Sequence, residues 1–379
     1  MSYDRRVVAN WHRFLLIVGF CLLVVLSWYG NRVTTAVSSP DLNATTIYLP
    51  LIASPPIFEY DIPIANAAPR NIAVASPGNI WVTLPGVNAI GSLVVTTTVD
   101  FEFTLYPIPT PNSEPHDLVF DAANEVIWFT QQAVDQIGRF DLNTHQIDEF
   151  SLTAGSAPTG IALAPNGIVW AALRDANKLA SLNPTTNNIE EIVYPTAGAN
   201  FLDIAVSSTN IVWVSAPGLN RMVTYNPDNG TFVNVNLHSF GQTPFPPHAV
   251  AMNGNTPWVT APTQNWVGVY IPGTLSLWSW YAAHPSDQGA TDLVHRRLGT
   301  VNELWYVQPT DNRAGRLQIN NQGQLILNQS TRLPTTNSFP EGIAVDNNGH
   351  AWITASAANA IVWWHPDAAS LNQPTIQHP

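Results

Sequence analysis

The sequence predicts an all-β chain, a seven-bladed β-propeller of four-stranded blades. Three observations predict it. Trp81, Trp128, Trp170, Trp213, Trp258, Trp305 and Trp352 recur 42 to 47 residues apart. Ten residues after each stands Gly91, Gly138, Ala180, Val223, Gly268, Gly315 or Val362, and about twelve residues before most of them a proline opens a short apolar run. A period of this length marks an array of one supersecondary unit, and four short strands in about 45 residues describe a propeller blade.

The strands follow in order. The first is the run after the proline, as in Pro69-Arg-Asn-Ile-Ala-Val-Ala, Pro115-His-Asp-Leu-Val-Phe-Asp, Pro158-Thr-Gly-Ile-Ala-Leu-Ala and Pro340-Glu-Gly-Ile-Ala-Val-Asp. Its small residues suit the crowded axis. A turn such as Pro165-Asn166-Gly167 or Asn347-Asn348-Gly349 leads to the tryptophan strand, for example Ile127-Trp-Phe-Thr or Ala351-Trp-Ile-Thr. The third strand reads Gln136-Ile-Gly-Arg-Phe-Asp, and the fourth Ile147-Asp-Glu-Phe-Ser-Leu or Ile189-Glu-Glu-Ile-Val-Tyr. These segments are short, β-branched and aromatic, bounded by Gly, Pro, Asn and Asp, with no competing helical period. The last unit lacks a fourth strand, while a strand of that type, 57–63, precedes the first unit. It is expected to pair into the last blade and close the ring, since an open β-edge invites aggregation. The tryptophans are read as wedges between blades, because large aromatics dominate packing.

One domain therefore spans 57–367. Before it, residues 14–29 are almost wholly apolar and follow Arg5, Arg6 and Arg13, so 1–36 reads as a secretory signal peptide or an uncleaved transmembrane signal-anchor. Residues 37–56 form a Ser/Thr/Pro-rich spacer and 368–379 a C-terminal tail. The expected location is extracytoplasmic, secreted or anchored, with membrane contact only through the N-terminal segment. Cys21 is the only cysteine and lies in that segment, so the propeller has no disulfide. After residue 37 there are 10 basic and 25 acidic residues, a net of −15, with Lys178 the only lysine. Such a surface repels phosphates and excludes nucleic acid as a partner. A monomer is expected.

In a propeller the loops entering the first strands and leaving the tryptophan strands meet at one face. Residues just after the proline then converge at the axis: Arg70, His116, Thr159, Leu202, His248, Thr291 and Glu341, with Asn71, Asp117, Asp203 and Asp292 among their neighbours. Leaving the tryptophan strands are Leu84, Gln131, Leu173, Ala216, Ala261, Gln308 and Ala355. Histidine suits proton transfer near neutral pH, and carboxylates suit Mg²⁺ or Ca²⁺. His116 and His248 are thus the candidate catalytic residues, and Arg70, Asp117, Gln131 and Glu341 the candidate ligand contacts. His116 and His248 can equally be loop residues packed beside Pro115 and Pro247.

The run Pro-His-Asp-Leu-Val…Ile-Trp-Phe-Thr-Gln…Gln-Ile-Gly-Arg-Phe-Asp resembles the repeat of the virginiamycin B (streptogramin) lyases, which are seven-bladed propellers. The resemblance implies elimination on a cyclic depsipeptide, with a general base removing a proton next to a carbonyl and Mg²⁺ steadying the enolate. It implies a Glu-x-His element entering an inner strand and a glutamate shortly after a Trp-Phe strand. Glu114-Pro115-His116 matches the first and makes Glu114 the candidate metal ligand. The second position holds Gln131 or Gln132; Pro246 stands where a glutamate would precede His248, and Ala261 and Pro262 follow the fifth tryptophan strand. The leading expectation is accordingly a lyase-like propeller with a degenerate acid set, binding a small-molecule or peptide ligand at its axial mouth. A Mg²⁺-dependent lyase is the alternative, and a metal-dependent lactonase, whose related propeller needs a Glu/Asn/Asp metal set, is the second.

Overall fold

The computed structural model describes residues 57–96, 100–237, 244–271, 277–283 and 289–367, and two short strands nearer the N-terminus. The chain divides into two units. In the first, Val25–Tyr29 pairs antiparallel with Arg32–Ala36. The expected signal or anchor segment 14–29, apart from that strand, the spacer 37–56 and the tail 368–379 lie outside the described residues. Among the described residues no helix is long and apolar enough to cross a membrane.

The second unit, Pro55–Ala368, holds seven four-stranded antiparallel sheets. Blade 1 runs Ile72–Ser76, Asn79–Leu84, Ala89–Val95 and Phe101–Pro107. Blades 2 to 6 repeat the order from inner strands beginning at Pro115, Pro158, Ile204, Val250 and Asp292. Blade 7 takes Pro340–Val345, Ala351–Ala355 and Ala360–Trp364 from the C-terminal end, and its outer strand is Ile57–Asp61, paired Ile57↔Trp364 through Asp61↔Ala360. The ring closes as the sequence led one to expect, with a strand two residues shorter. Ile62 N still donates to Asn359 O, and Pro63 has no N–H to continue.

The tryptophans are wedges. All seven are buried, and most pack, tilted or edge-on, against an aromatic of the following blade: Trp81 against Phe140, Trp170 against Tyr225, Trp213 against Tyr270 and Trp305 against Trp364, at centroid distances of 5.2, 5.8, 5.7 and 5.5 Å. Trp352 completes the circuit by packing with Ile80 and Leu93 of blade 1. Truncating one such ring to alanine costs about 3–5 kcal/mol. The glycines ten residues on leave room for an aromatic to lie flat on the third strand. A Cβ at Gly138 would stand 2.1 Å from the Phe129 ring, and one at Gly315 2.2 Å from Tyr306.

A second seven-fold feature holds the connections. Seven residues after each tryptophan stands Asn88, Asp135, Asn177, Asn220, Asn265, Asn312 or Asn359, each left-handed at φ between 51° and 57°. Asn tolerates that conformation better than other side chains. In five of them, Asn88, Asp135, Asn177, Asn312 and Asn359, the side chain reaches the segment joining its own blade's outer strand to the next inner strand. Asn88 Nδ2 donates to Ile108 O and Thr110 O, while its Oδ1 accepts from Ser113 N at 2.6 Å. Asn312 repeats this with Leu333 O, Thr335 O and Ser338 N. Asn359 does so with Ile62 O, Ile64 O and Ala67 N, securing the chain that follows the closing strand. These clamps fix the loops that deliver residues to the mouth.

Candidate functional site at the axial mouth

The mouth is built from backbone outward. In blades 2, 3 and 7 the inner strand carries a register shift just after the proline, between Pro115 and Leu118, Pro158 and Ile161, and Pro340 and Ile343. A bulge of this kind re-aims side chains, and it falls on His116–Asp117, Thr159–Gly160 and Glu341–Gly342. Hydroxyls from the tryptophan strands stitch neighbouring blades there. Thr83 Oγ1 accepts from Asn71 N and donates to His116 O; Thr130 Oγ1 does the same with Asp117 N and Thr159 O; Thr354 Oγ1 does it with Gly342 N and Arg70 O across the closure. Blade 3 has Ala172 at that position, and Thr159 Oγ1 supplies the missing bridge to Phe201 O at 3.1 Å.

A carboxylate takes the next step in every second blade. Asp117, Asp203 and Asp292 each accept the N–H of their own following residue and an N–H of the next blade's inner strand, from Ile161, Val250 and Ile343 at 2.8, 2.7 and 2.9 Å. Asn71 joins the set by donating to Asp117 Oδ1. The facing blades have Gly160, Ala249 and Gly342 at this position, since the backbones run close. A Cβ at Gly160 would stand 2.8 Å from Asp203 Cα, and one at Gly342 2.8 Å from Arg70 O. Burial pushes all three carboxyls up. Asp203 reaches about 6; Asp292 reaches about 7, with the Asp203 charge adding to burial; Asp117 lies well above its usual range.

These elements enclose a cavity of about 380 Å³ at the axis. Arg70, His116, His248 and Glu341 line it, beside Asp117, Asp203 and Asp292; Leu202, Ala249, Pro309 and Phe339 give it apolar walls. The structure thus brings together five of the seven residues singled out from the sequence: Arg70, His116, Asp117, His248 and Glu341. It does not bring in the other two. Glu114 is exposed outside the cavity, at φ 48°, where its carbonyl accepts from Gln132 N. Gln131 ends the tryptophan strand with 0 % exposure, and both amide atoms are shielded without a hydrogen-bond partner. The other residues leaving those strands are likewise buried and absent from the cavity lining. In four blades the chain turns away there through a short 3-10 turn: Pro85–Val87, Pro217–Leu219, Pro262–Gln264 or Pro309–Asp311.

The two imidazoles are neutral at physiological pH. Burial lowers His116 well below its ordinary value, and Arg70, Arg174 and His248 lower it further. Burial also lowers His248, against a backbone hydrogen bond at Thr291 that raises it, with Arg70 lowering it further. Nδ1 of each ring is shielded from solvent and has no partner, as has Thr291 Oγ1. A buried polar atom left unpaired costs about 1–3 kcal/mol, and because these three are shielded it is the rest of each side chain that lines the cavity. Arg70 and Glu341 stand 3.6 Å apart at the rim, and Ser356 Oγ donates to Glu341 Oε1 at 2.9 Å.

The donor set does not fit a Mg²⁺ centre. Magnesium wants several oxygen ligands in near-octahedral array. Each axial aspartate already spends both oxygens on backbone N–H groups, Glu341 is engaged by Arg70 and Ser356, and Glu114 is elsewhere. Among the described residues no three His, Cys, Asp or Glu side chains group closely enough to hold a metal ion.

A model of the virginiamycin B lyase family matches residues 57–274, more than half of the chain. A solved streptogramin B lyase superposes with a TM-score of 0.71 at 21% identity, over 82% of this chain and 98% of that one. A catalytically inactive histidine-to-alanine variant of virginiamycin B lyase from Staphylococcus aureus, solved with quinupristin, superposes at 0.70 with 20% identity, over 81% and 98%. At such identity these likenesses speak for the fold. No curated sequence matches the chain.

Proposed function

Because the chain belongs to the virginiamycin B lyase family, we propose that its axial mouth binds a small-molecule or peptide ligand rich in hydrogen-bond acceptors and donors, without Mg²⁺-dependent elimination. The observation that carries this reading is a cavity on which two neutral imidazoles, His116 and His248, and the Arg70 guanidinium stand among apolar walls while the neighbouring carboxylates are already committed. A neutral imidazole offers one donor and one acceptor, and Arg70 adds a charged donor at the rim. Leu202, Ala249, Pro309 and Phe339 offer apolar surface, the usual composition of a ligand pocket. The cationic then apolar N-terminal sequence supports an extracytoplasmic, secreted or tethered location, which protease protection of the full chain in membrane vesicles would test.

A second reading has its own support. Two neutral imidazoles on one cavity are competent proton acceptors, and the family's solved members include lyases. Quinupristin separates the two. The first reading expects calorimetric binding, weakened by His116→Ala and His248→Ala, with no linear product by chromatography whether or not Mg²⁺ is added. Mg²⁺-dependent linear product that disappears in both variants would overturn it in favour of the lyase.

A further inference from the structure

A second cavity, of about 310 Å³, opens at the seam where the ring closes. It is walled by Ala68 and Pro85 from blade 1 and by Ser356 and Ala357 from blade 7. Arg70, Phe339 and Glu341 line both this cleft and the axial cavity, so the two are contiguous.

Phe339 is the anomaly in that wall. Its φ is 54°, in the left-handed region. At the matching place in other blades stand Ala68, Glu114, Ala157 and Asn200, also left-handed but small or polar. Among the described non-glycine residues at positive φ, Phe339 alone carries a large apolar side chain. A bulky residue there is a genuine outlier, and such strain is kept where surrounding structure enforces it. Ser356 does the enforcing. Its backbone N–H donates to Phe339 O at 3.2 Å, and its single hydroxyl proton lies between Phe339 O at 3.1 Å and Glu341 Oε1 at 2.9 Å. The ring so held is 45% exposed. Among the described residues it stacks on no other aromatic. The other blades put a small or polar residue here; this one puts a half-exposed aromatic and pins its backbone.

We infer that the seam cleft is a second subsite, which takes a flat aromatic group of the ligand and stacks it on Phe339. The inference rests on the reading of the mouth as a ligand site, and it gives that ligand two parts. A polar part reaches His116 and His248 at the axis. An aromatic part crosses the Arg70–Glu341 pair and lies on the Phe339 ring, with Ala68, Pro85 and Ala357 as the apolar floor. Offset or edge-to-face aromatic packing adds stabilisation beyond area burial, and Ser356 already holds the backbone that carries the ring.

N-acetyltryptophanamide tests the cleft, with N-acetylalaninamide as the control that lacks a ring; ligand-observed NMR reads both. The aromatic probe is expected to bind wild type and Phe339→Tyr alike, to weaken about tenfold in Phe339→Ala, and to bind far better than the alanine probe. Thermal midpoints of both variants check that the fold persists. Equal affinity for wild type and Phe339→Ala, or no preference for the aromatic probe, would overturn the subsite and leave the mouth reading intact. If quinupristin fails to bind the mouth while the aromatic probe still depends on Phe339, the mouth reading falls and the cleft stands.

Discussion

Replacing Asp292 by Asn should change sign in its effect on stability as pH rises. Asp292 Oδ1 accepts Leu293 N at 2.8 Å and Oδ2 accepts Ile343 N at 2.9 Å, joining blade 6 to blade 7. Asparagine keeps one acceptor oxygen and turns an NH₂ toward the other N–H. One buried N–H is left unpaired, at about 1–3 kcal/mol. Against this stands the carboxyl's own titration. Burial and Asp203 raise it from 3.8 to about 7. A carboxyl whose folded value is raised contributes stability that is complete below its unfolded value and lost as pH climbs to its folded value. The loss is three units at 1.36 kcal/mol each, about 4 kcal/mol. Asparagine has no such loss. Near pH 4 the variant is therefore less stable by about 1–3 kcal/mol, and near pH 8 it is more stable by a similar amount. Urea unfolding of both proteins, followed by tryptophan fluorescence at the two pH values, reads the difference directly. Comparing variant with wild type cancels the histidines, which drift the other way as acid charges them. If the stability difference is the same at both pH values, Asp292 does not titrate with a raised value, and the account of the axial carboxyls is wrong.

Three further outcomes follow from the geometry. Asn359→Ala removes four hydrogen bonds to the segment after the closing strand and puts alanine at φ 57°; it should cost about 3 kcal/mol or more and speed hydrogen exchange over residues 57–68, and unchanged exchange there would count against the clamp. Gln131→Glu would force an ionised carboxyl into a site of 0 % exposure, so it should lower the thermal midpoint and yield no Mg²⁺-dependent turnover of quinupristin; measurable linear product would show that one missing carboxylate was all the lyase lacked. Phe339→Gly relieves the left-handed strain and should raise stability by about 1 kcal/mol; a drop in the urea midpoint would mean the ring packs in the fold rather than waits in solvent.

How much of this was legible in the sequence depends on whether a residue acts within its own repeat or across to the next. The blades were legible because tryptophan burial and strand alternation are local. Closure was legible because a lone outer strand at 57 and a missing one at the end leave a single arithmetic solution. The mouth was partly legible: five of seven site residues sit at the cavity because the proline marks where each inner strand begins. Gln131 and Glu114 miss it for reasons one repeat does not show. The tryptophan strand buries its last residue between blades, and Glu114 lies before the proline, on the outside of a left-handed turn. The Asn or Asp seven places after each tryptophan was visible all along as a letter. Its meaning was not, because its partners stand outside the hairpin that holds it, in the connection to the next blade, and for Asn359 across the closure. The same holds for the alternation of Asp117, Asp203 and Asp292 with Gly160, Ala249 and Gly342. The aspartate of one blade grips the backbone of the next, and Gly160 and Gly342 in those next blades leave room for the blade after, so these residues are selected across blade boundaries. Seven is odd, and the pairs 2–3, 4–5 and 6–7 leave blade 1 over. There the sequence has Asn71, whose Oδ1 accepts from Ile72 N as the aspartates do from their own following residues, while its Nδ2 donates to Asp117 in place of a grip on the next blade's backbone. The unpaired blade lies at the ring's closure, beside Arg70, Glu341 and the Phe339 cleft. The place where the repeat cannot satisfy its own pattern is thus the place with most freedom to diverge, and it is where the chain keeps its exposed, strained aromatic.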